Sequence, residues 1–342
     1  MSDVEFGCRA TVIGSMPHKD PSEACGMVTR YLKYFPAWPQ LPNRSFLENM
    51  YAQYSHGFPG VVIKENRIHV ERARDLTKPL EALYAAYLEN DSDKYPISLD
   101  YAAGLYSFLS LGSLSSWAVK GQVTGPVSWG LTVTDENRQS ILYDDMLADA
   151  AARLLRLKAS WQEKQLKKIS SNIIIFVDEP YMAAFGSAFT AISREKVINL
   201  LDEVFCGISG TKGVHCCGNT DWPVLLQTRA RVLSFDAYNY AQSLSLYPAE
   251  IKEFLEKKKG AIAWGIVPNE AEALVKETVA SLRDRLEEAM APFTRHGIPF
   301  RQLLEQGLLT PSCGLASLTG EEADRALELL AELSMVIRQR YL

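Results

Sequence analysis

From about residue 118 onward, short runs of β-branched and aromatic residues alternate with longer stretches whose apolar positions recur at helical spacing. The short runs predict strands over 118–125, 172–178, 213–217, 231–236, 261–267 and 308–313. The longer stretches, among them 136–169, 193–205, 247–258, 274–293 and 320–340, predict helices. Strand then helix, repeated, is the pattern of βα units that build a parallel sheet. Thr11-Val12-Ile13-Gly14-Ser15 supplies a first strand, and counting to eight leaves one more, expected between 40 and 117. Within that window GVVIKENRIHV at 60–70 predicts a hairpin turning at Glu65-Asn66. The expected fold is therefore α/β: a (β/α)8 TIM barrel over 1–342, with an inserted or extended N-terminal region and a hairpin insertion around 57–75. An open doubly wound sheet would carry a Gly-rich phosphate loop after an early strand, and Gly14-Ser15-Met16-Pro17 is not one.

Length and composition agree with one barrel. Such barrels need roughly 250 residues, and 342 leaves room for extensions without a second domain. An apolar fraction of 47% can fill a core without disulfide staples. The formal charge of −5 argues against a nucleic-acid partner, and Lys257-Lys258-Lys259 reads as a solvated helix end. No apolar run approaches the roughly 20 residues that span a bilayer. Met1-Ser2-Asp3-Val4-Glu5 lacks the basic and apolar regions of a signal peptide, so no membrane partner and a cytoplasmic location are expected. The cysteines Cys8, Cys25, Cys206, Cys216, Cys217 and Cys313 then read as buried thiols or ligands rather than a disulfide framework.

Nearly every reactive cluster falls at the C-terminal end of an expected strand: Gly14-Ser15, Thr124-Gly125-Pro126, Asp178-Glu179-Pro180, His215-Cys216-Cys217, Asp236, Pro268-Asn269 and Cys313-Gly314. In a closed parallel barrel these ends meet on one face. On a strand His215 and Cys217 point to the same side while Cys216 faces away. Two thiolates and an imidazole, with Cys313 as the third donor, suit Zn2+ and leave a fourth position for a substrate. Taken by spacing alone, His215-x-Cys217 reads equally as core packing, and Asp178-Glu179-Pro180 as a strand-to-loop turn.

Five motifs together resemble the catalytic C-terminal barrel of cobalamin-independent methionine synthase. They also resemble, more widely, the superfamily that includes methylcobalamin:thiol methyltransferases and uroporphyrinogen decarboxylase. The motifs are Thr11-Val12-Ile13-Gly14-Ser15, Val119-Lys120-Gly121-Gln122-Val123-Thr124-Gly125-Pro126, Val177-Asp178-Glu179-Pro180, His215-x-Cys217 and Pro311-x-Cys313-Gly314-Leu315. The resemblance implies that His215, Cys217 and Cys313 are zinc ligands, that Ile13 and Ser15 contact homocysteine, and that Asp178 binds its ammonium group. Where the family has a ligating glutamate this chain has Asp236, expected either as a fourth ligand or as an outer hydrogen-bond acceptor. The second glutamate that grips homocysteine should lie near 42–49, where Glu48 is the nearest candidate.

Two departures bear on the methyl donor. The family's histidine at the end of the seventh strand is replaced by Trp264-Gly265-Ile266-Val267-Pro268-Asn269, and the long N-terminal barrel of the full-length enzymes has no counterpart in the sequence. The expected activity is zinc-dependent transfer of a methyl group to homocysteine, giving methionine. The expected donor is a methylcorrinoid, free or on a corrinoid protein, whose reduced cobalt leaves without needing a proton. Trp129, Tyr181, Trp222, Tyr238 and Trp264 read either as surroundings for a corrin or as core packing. The alternatives are methyl transfer to coenzyme M, a uroporphyrinogen-type decarboxylation, and a zinc- or corrinoid-binding protein without turnover.

Overall fold

A computed structural model describes residues 6–187 and 191–342. The opening stretch 1–5, read above for the absence of signal-peptide features, lies outside the described residues. The strands are β1 (Arg9–Ala10), β2 (Val61–Lys64), β3 (Arg67–Val70), β4 (Val119–Thr124), β5 (Thr134–Asp135), β6 (Ile173–Asp178), β7 (Thr211–Cys216), β8 (Val232–Phe235), β9 (Ala261–Val267) and β10 (Gly307–Pro311). Seven form a curled parallel sheet in the order β1-β10-β9-β8-β7-β6-β4, and β2-β3-β5 form a separate three-stranded sheet. Every residue of β4, β6, β8, β9 and β10 is buried, because helices cover the outer face and packed side chains the inner one. No helix among the described residues is long and apolar enough to cross a membrane.

Register does the work of placing the reactive ends. Thr124 pairs with Asp178, Asp178 with His215, and His215 with Ser234, so four neighbouring strands present these residues in one row. β10 and β1 continue the sheet on its other side, Arg9 pairing with Leu308 and Ala10 with Leu309.

The N-terminal part differs from expectation in two places. The first strand lies at Arg9–Ala10 rather than 11–15: Thr11 N still donates to Leu309 O, but beyond it the chain leaves β10. Ser15 instead bridges to Gln40, with Gln40 N donating to Gly14 O and Met16 N to Gln40 O. No eighth parallel strand is found between 40 and 117. That window holds the β2–β3 hairpin and the helices Met50–Ser55, Thr77–Leu88 and Ala103–Ser110. The segment spanning the gap between β1 and β4 is 36–40, earlier in the chain. Ala37 bridges to Lys120 and Gln40 to Ser15. Its sequence, Pro36-Ala37-Trp38-Pro39-Gln40, hides it, since each proline lacks the N–H a ladder needs.

Backbone bonds hold this segment on both sides, with Lys120 N also donating to Pro36 O and Trp38 N to Lys120 O, and side chains add to them. Trp38 Nε1 donates to Gln162 Oε1 at 3.0 Å and Gln122 Nε2 to the Trp38 carbonyl at 3.1 Å. Gln162 Nε2 and the Tyr54 hydroxyl both donate to the Gln122 carbonyl. Gln162 comes from the helix Asp145–Leu166, which begins later than the expected 136 because Thr134–Asp135 pairs with β3 and Asp144 caps the helix. The hairpin turns through Glu65 and Asn66, both at positive φ (50° and 58°), as a two-residue turn of this hand requires.

Candidate metal centre

His215 is the last residue but one of β7, Cys217 lies just past its end, and Cys313 lies just past β10. Their donor atoms all lie within 4.8 Å of one another. Cys216, between the first two, points the other way into the core, where burial pushes its thiol up to about 12. The alternation expected of a strand is what separates ligand-type from core-type sulfur here.

His215 is 2% exposed, with Nδ1 2.9 Å from Ser234 Oγ and no hydrogen-bond partner on Nε2 among the described residues. With Nδ1–H donating to Ser234, the Nε2 lone pair remains for a metal. The Cys313 thiol donates to the Cys217 sulfur, which outweighs burial, and His215 adds to the effect; the Cys217 thiol is pulled down to about 4. The same shared proton pushes Cys313 up. Loss of the one proton the two sulfurs share would leave a dithiolate. Two soft sulfurs and an unpartnered imidazole nitrogen are a zinc donor set with an open position.

Asp236 does not join these donors. Its Oδ1 accepts from Asn239 N at 2.9 Å and its Oδ2 from Asn239 Nδ2 at 2.8 Å, so it caps the helix Ala237–Leu244. Its carboxyl is raised by burial, and the charges of Cys217 and His215 act on it.

The three donors open onto a cavity of ≈ 200 Å³ that is also lined by Ile13, Ser15, Asp178, Gln40, Glu48 and Asn49. The N-terminal wall meets the Cys313 loop closely: Leu315 N donates to Ser15 O at 2.8 Å, and a Cβ on Gly314 would lie 2.0 Å from Ser15 Oγ. Asp178 is 7% exposed, its Oδ1 lacks a partner among the described residues, and burial pushes its carboxyl up to about 6 against the pull of Lys120 and His215. Glu48 is fully buried. Its Oε1 accepts from Arg44 at 2.6 Å, and its Oε2 has no hydrogen-bond partner among the described residues. Its only sequence signal beyond position is the i,i+4 spacing from Arg44.

Glu179, next to Asp178, has a different task. It accepts from Val127 N (2.9 Å), Ser128 N (2.7 Å) and Ser128 Oγ (2.6 Å), closing the N-terminus of the helix Pro126–Thr132. A Cβ on Gly125 would sit 2.1 Å from its carboxylate, so the Thr-Gly-Pro and Asp-Glu-Pro motifs are two halves of one packing unit. Of the aromatic residues considered for a corrin, Trp129, Trp222 and Trp264 are fully buried and stack on Phe58 and Phe235 as core. Tyr238 donates to Glu277, and only Tyr181 is well exposed.

The chain matches no family model and no curated protein. It is similar to the structure of a B12-independent methionine synthase from Shewanella sp. W3-18-1 in complex with selenomethionine, with a TM-score of 0.62 at 14% identity over 98% of each chain. It is also similar to a putative vitamin-B12 independent methionine synthase from Listeria monocytogenes, with a TM-score of 0.58 at 14% identity over 93% of this chain and 85% of that one. The chain thus has the fold of these structures over nearly its whole length.

Proposed function

We propose that this chain is a zinc-dependent methyltransferase that carries a methyl group to the thiol of homocysteine, giving methionine. The observation that carries the reading is one pocket lined both by His215, Cys217 and Cys313 and by Asp178 and Glu48, each with a carboxylate oxygen that has no hydrogen-bond partner among the described residues. In this reading 36–40 is the irregular eighth stave of a (β/α)8 barrel, 1–342 is one catalytic unit, and the hairpin around 57–75 is its insertion. The selenomethionine in the Shewanella structure's name, a methionine analogue, supports a product of this class.

His215 Nε2, Cys217 and Cys313 would hold the zinc, which supplies Lewis acidity that strips the acceptor thiol of its proton while leaving the sulfur nucleophilic. Ser234 fixes the His215 ring so that Nε2 faces the sulfurs. Asp178 and Glu48 take the acceptor's ammonium, and Ile13 and Ser15 close the pocket against its carbon chain. Asp236 stays an outer acceptor. The same carboxylates speak against coenzyme M, which offers a sulfonate and no ammonium. A uroporphyrinogen needs a cleft with cations for several carboxylates, and a cavity of ≈ 200 Å³ lined by Asp178 and Glu48 is the opposite.

For the donor, the methylcorrinoid reading is supported by the end of β9. Asn269 stands there, its amide tied to Ser312 Oγ and the Gly314 carbonyl, with no acid at that position to protonate a leaving group. A second reading is favoured by a neighbouring cavity of ≈ 470 Å³ that shares Asn49 with the thiol pocket and is lined by Phe46, Tyr51, Arg67 and Arg138. Two guanidiniums and two rings suit a compact anionic donor such as a methylfolate, and both similar structures are named as B12-independent. Zinc-loaded protein incubated with homocysteine and either methylcobalamin or methyltetrahydrofolate, assayed for methionine, tests the proposal. Methionine from the corrinoid alone supports the first donor, and from folate alone the second. No methionine from either, with zinc bound, overturns the methyltransferase reading in favour of a binding protein.

A further inference from the structure

Lys120 sits in the second of the five motifs, and the chemistry above makes no use of it. Its side chain is fully buried in β4. Nζ donates to the Ile13 carbonyl at 2.5 Å and to Gln122 Oε1 at 3.2 Å, and lies 4.6 Å from the centre of the Phe176 ring. The negative charge acting on it is that of Asp178, across the interior of the sheet. An ammonium taken out of water without a contact ion costs several kcal/mol, and an apolar side chain would fill the same space at lower cost. Burial accordingly pulls the Lys120 amine down to about 8.

The partner of that ammonium explains its retention. Thr11 N makes the last bond of this stretch to β10, and Gly14 O and Met16 N make the next backbone bonds, to Gln40. Ile13 falls in the gap between the two neighbours, and its carbonyl takes Lys120 Nζ in place of a ladder N–H. Gly14 beside it has φ +152°, and a Cβ there would meet Gln122 at 2.8 Å and Gln40 at 2.9 Å, so the backbone is already pressed against β4 and the 36–40 segment. Ile13 and Ser15, on either side of Gly14, are the residues that line the thiol pocket.

We infer that Lys120 is the positioning residue of the amino-acid subsite: its ammonium holds the Ile13 carbonyl, and through it sets the wall formed by Ile13 and Ser15 in the pocket that Asp178 also lines. The inference rests on the reading of this pocket as an amino-acid thiol site.

Methionine titrated calorimetrically into zinc-loaded wild type, Lys120→Met and Lys120→Gln tests it, with zinc content and thermal unfolding measured on each. Lys120→Met should keep its zinc and unfold cooperatively, yet bind methionine at least about tenfold more weakly, the size of one lost charge-assisted hydrogen bond. Lys120→Gln, a neutral donor one atom shorter, should fall between it and wild type, and decides alone if Lys120→Met does not fold. In turnover the loss should appear in KM for homocysteine, with kcat nearly unchanged. Wild-type affinity in the folded variants would reduce Lys120 to a core filler and overturn the inference. A wild-type protein that binds zinc but neither methionine nor homocysteine is a different result, and it would overturn the amino-acid reading together with the inference.

Discussion

The half of the molecule that carries the proposed metal ligands and the half that walls the proposed acceptor pocket are built by different means. β6 to β10 are paired parallel strands with one register shift at Thr310/Pro311, and Asp178, His215, Cys217 and Cys313 lie at or just past their C-terminal ends. The opposing wall, from Arg9 through Ser55, has only two residues of ladder strand. Besides a few backbone bonds of 36–40 to Gly14, Met16 and Lys120, it is held by Lys120, Gln122, Gln162, Tyr54 and Trp38 hydrogen-bonding to one another and to backbone carbonyls. A backbone ladder tolerates many side chains, whereas a side-chain lattice ties each position to a particular residue. The metal half should therefore break at its ligands and little else, and the acceptor half at residues that touch no substrate.

The largest effect that would test this contrast is Cys217→Ala. Zinc content should fall from about one per chain to near zero and methyl transfer to background, with thermal unfolding still cooperative, because two protein ligands rarely hold zinc. Retained zinc, measured by atomic emission after dialysis without chelator, would count against the ligand set. Ser234→Ala probes one step outward. Removing the acceptor of His215 Nδ1–H should weaken zinc binding by about 10–100-fold without abolishing it, and a competition titration with a chromophoric chelator reads the change.

On the other side of the pocket Gln162→Leu removes two hydrogen bonds and strands the Trp38 N–H. It should cost about 1–3 kcal/mol of stability in urea unfolding while the refolded protein keeps its zinc affinity. A change in zinc affinity instead would show that the two halves are not separable. The smallest expected effect concerns Lys158, on the same helix, fully buried with the Pro96 carbonyl at 3.3 Å as its acceptor. Burial pulls its amine from 10.5 down to about 7, and its charge also helps lower His56, which burial lowers first. Between those two values the unfolded chain binds a proton that the folded chain does not, so stability should rise with pH above about 7. The slope is at most about 1.4 kcal/mol per pH unit, and Lys158→Met should flatten it.

The same contrast explains what could be read from the sequence. Six of the strands and the ends that bear Asp178, His215, Cys217 and Cys313 were legible because buried parallel strands are written as unbroken apolar runs such as Ile173-Ile174-Ile175-Phe176-Val177. Residues 36–40 were not legible, since two prolines in five residues spell a loop, and their isolated backbone bridges to Lys120 and Ser15 are reinforced at Trp38 by Gln122 and Gln162, 84 and 124 residues away. Glu48 and Lys120 share that difficulty: a buried charge is recognisable only once its carbonyl or guanidinium partner is in place. Asp236 was ambiguous for a smaller reason. Its short arm reaches Asn239 three residues on, a local cap that competes with ligation.

The measurement that bears most directly on the account is proton release on thiol binding. Homocysteine titrated into zinc-loaded protein at pH 7, in two buffers of different ionisation enthalpy, should release about one proton per thiol bound, since a free thiol has a pKa of about 8.5 and only the thiolate ligates. Its affinity should rise as pH increases below that value, and Cys217→Ala should release none. Homocysteine binding with no proton released, or with the same release from Cys217→Ala, would contradict a metal-activated thiol at His215, Cys217 and Cys313.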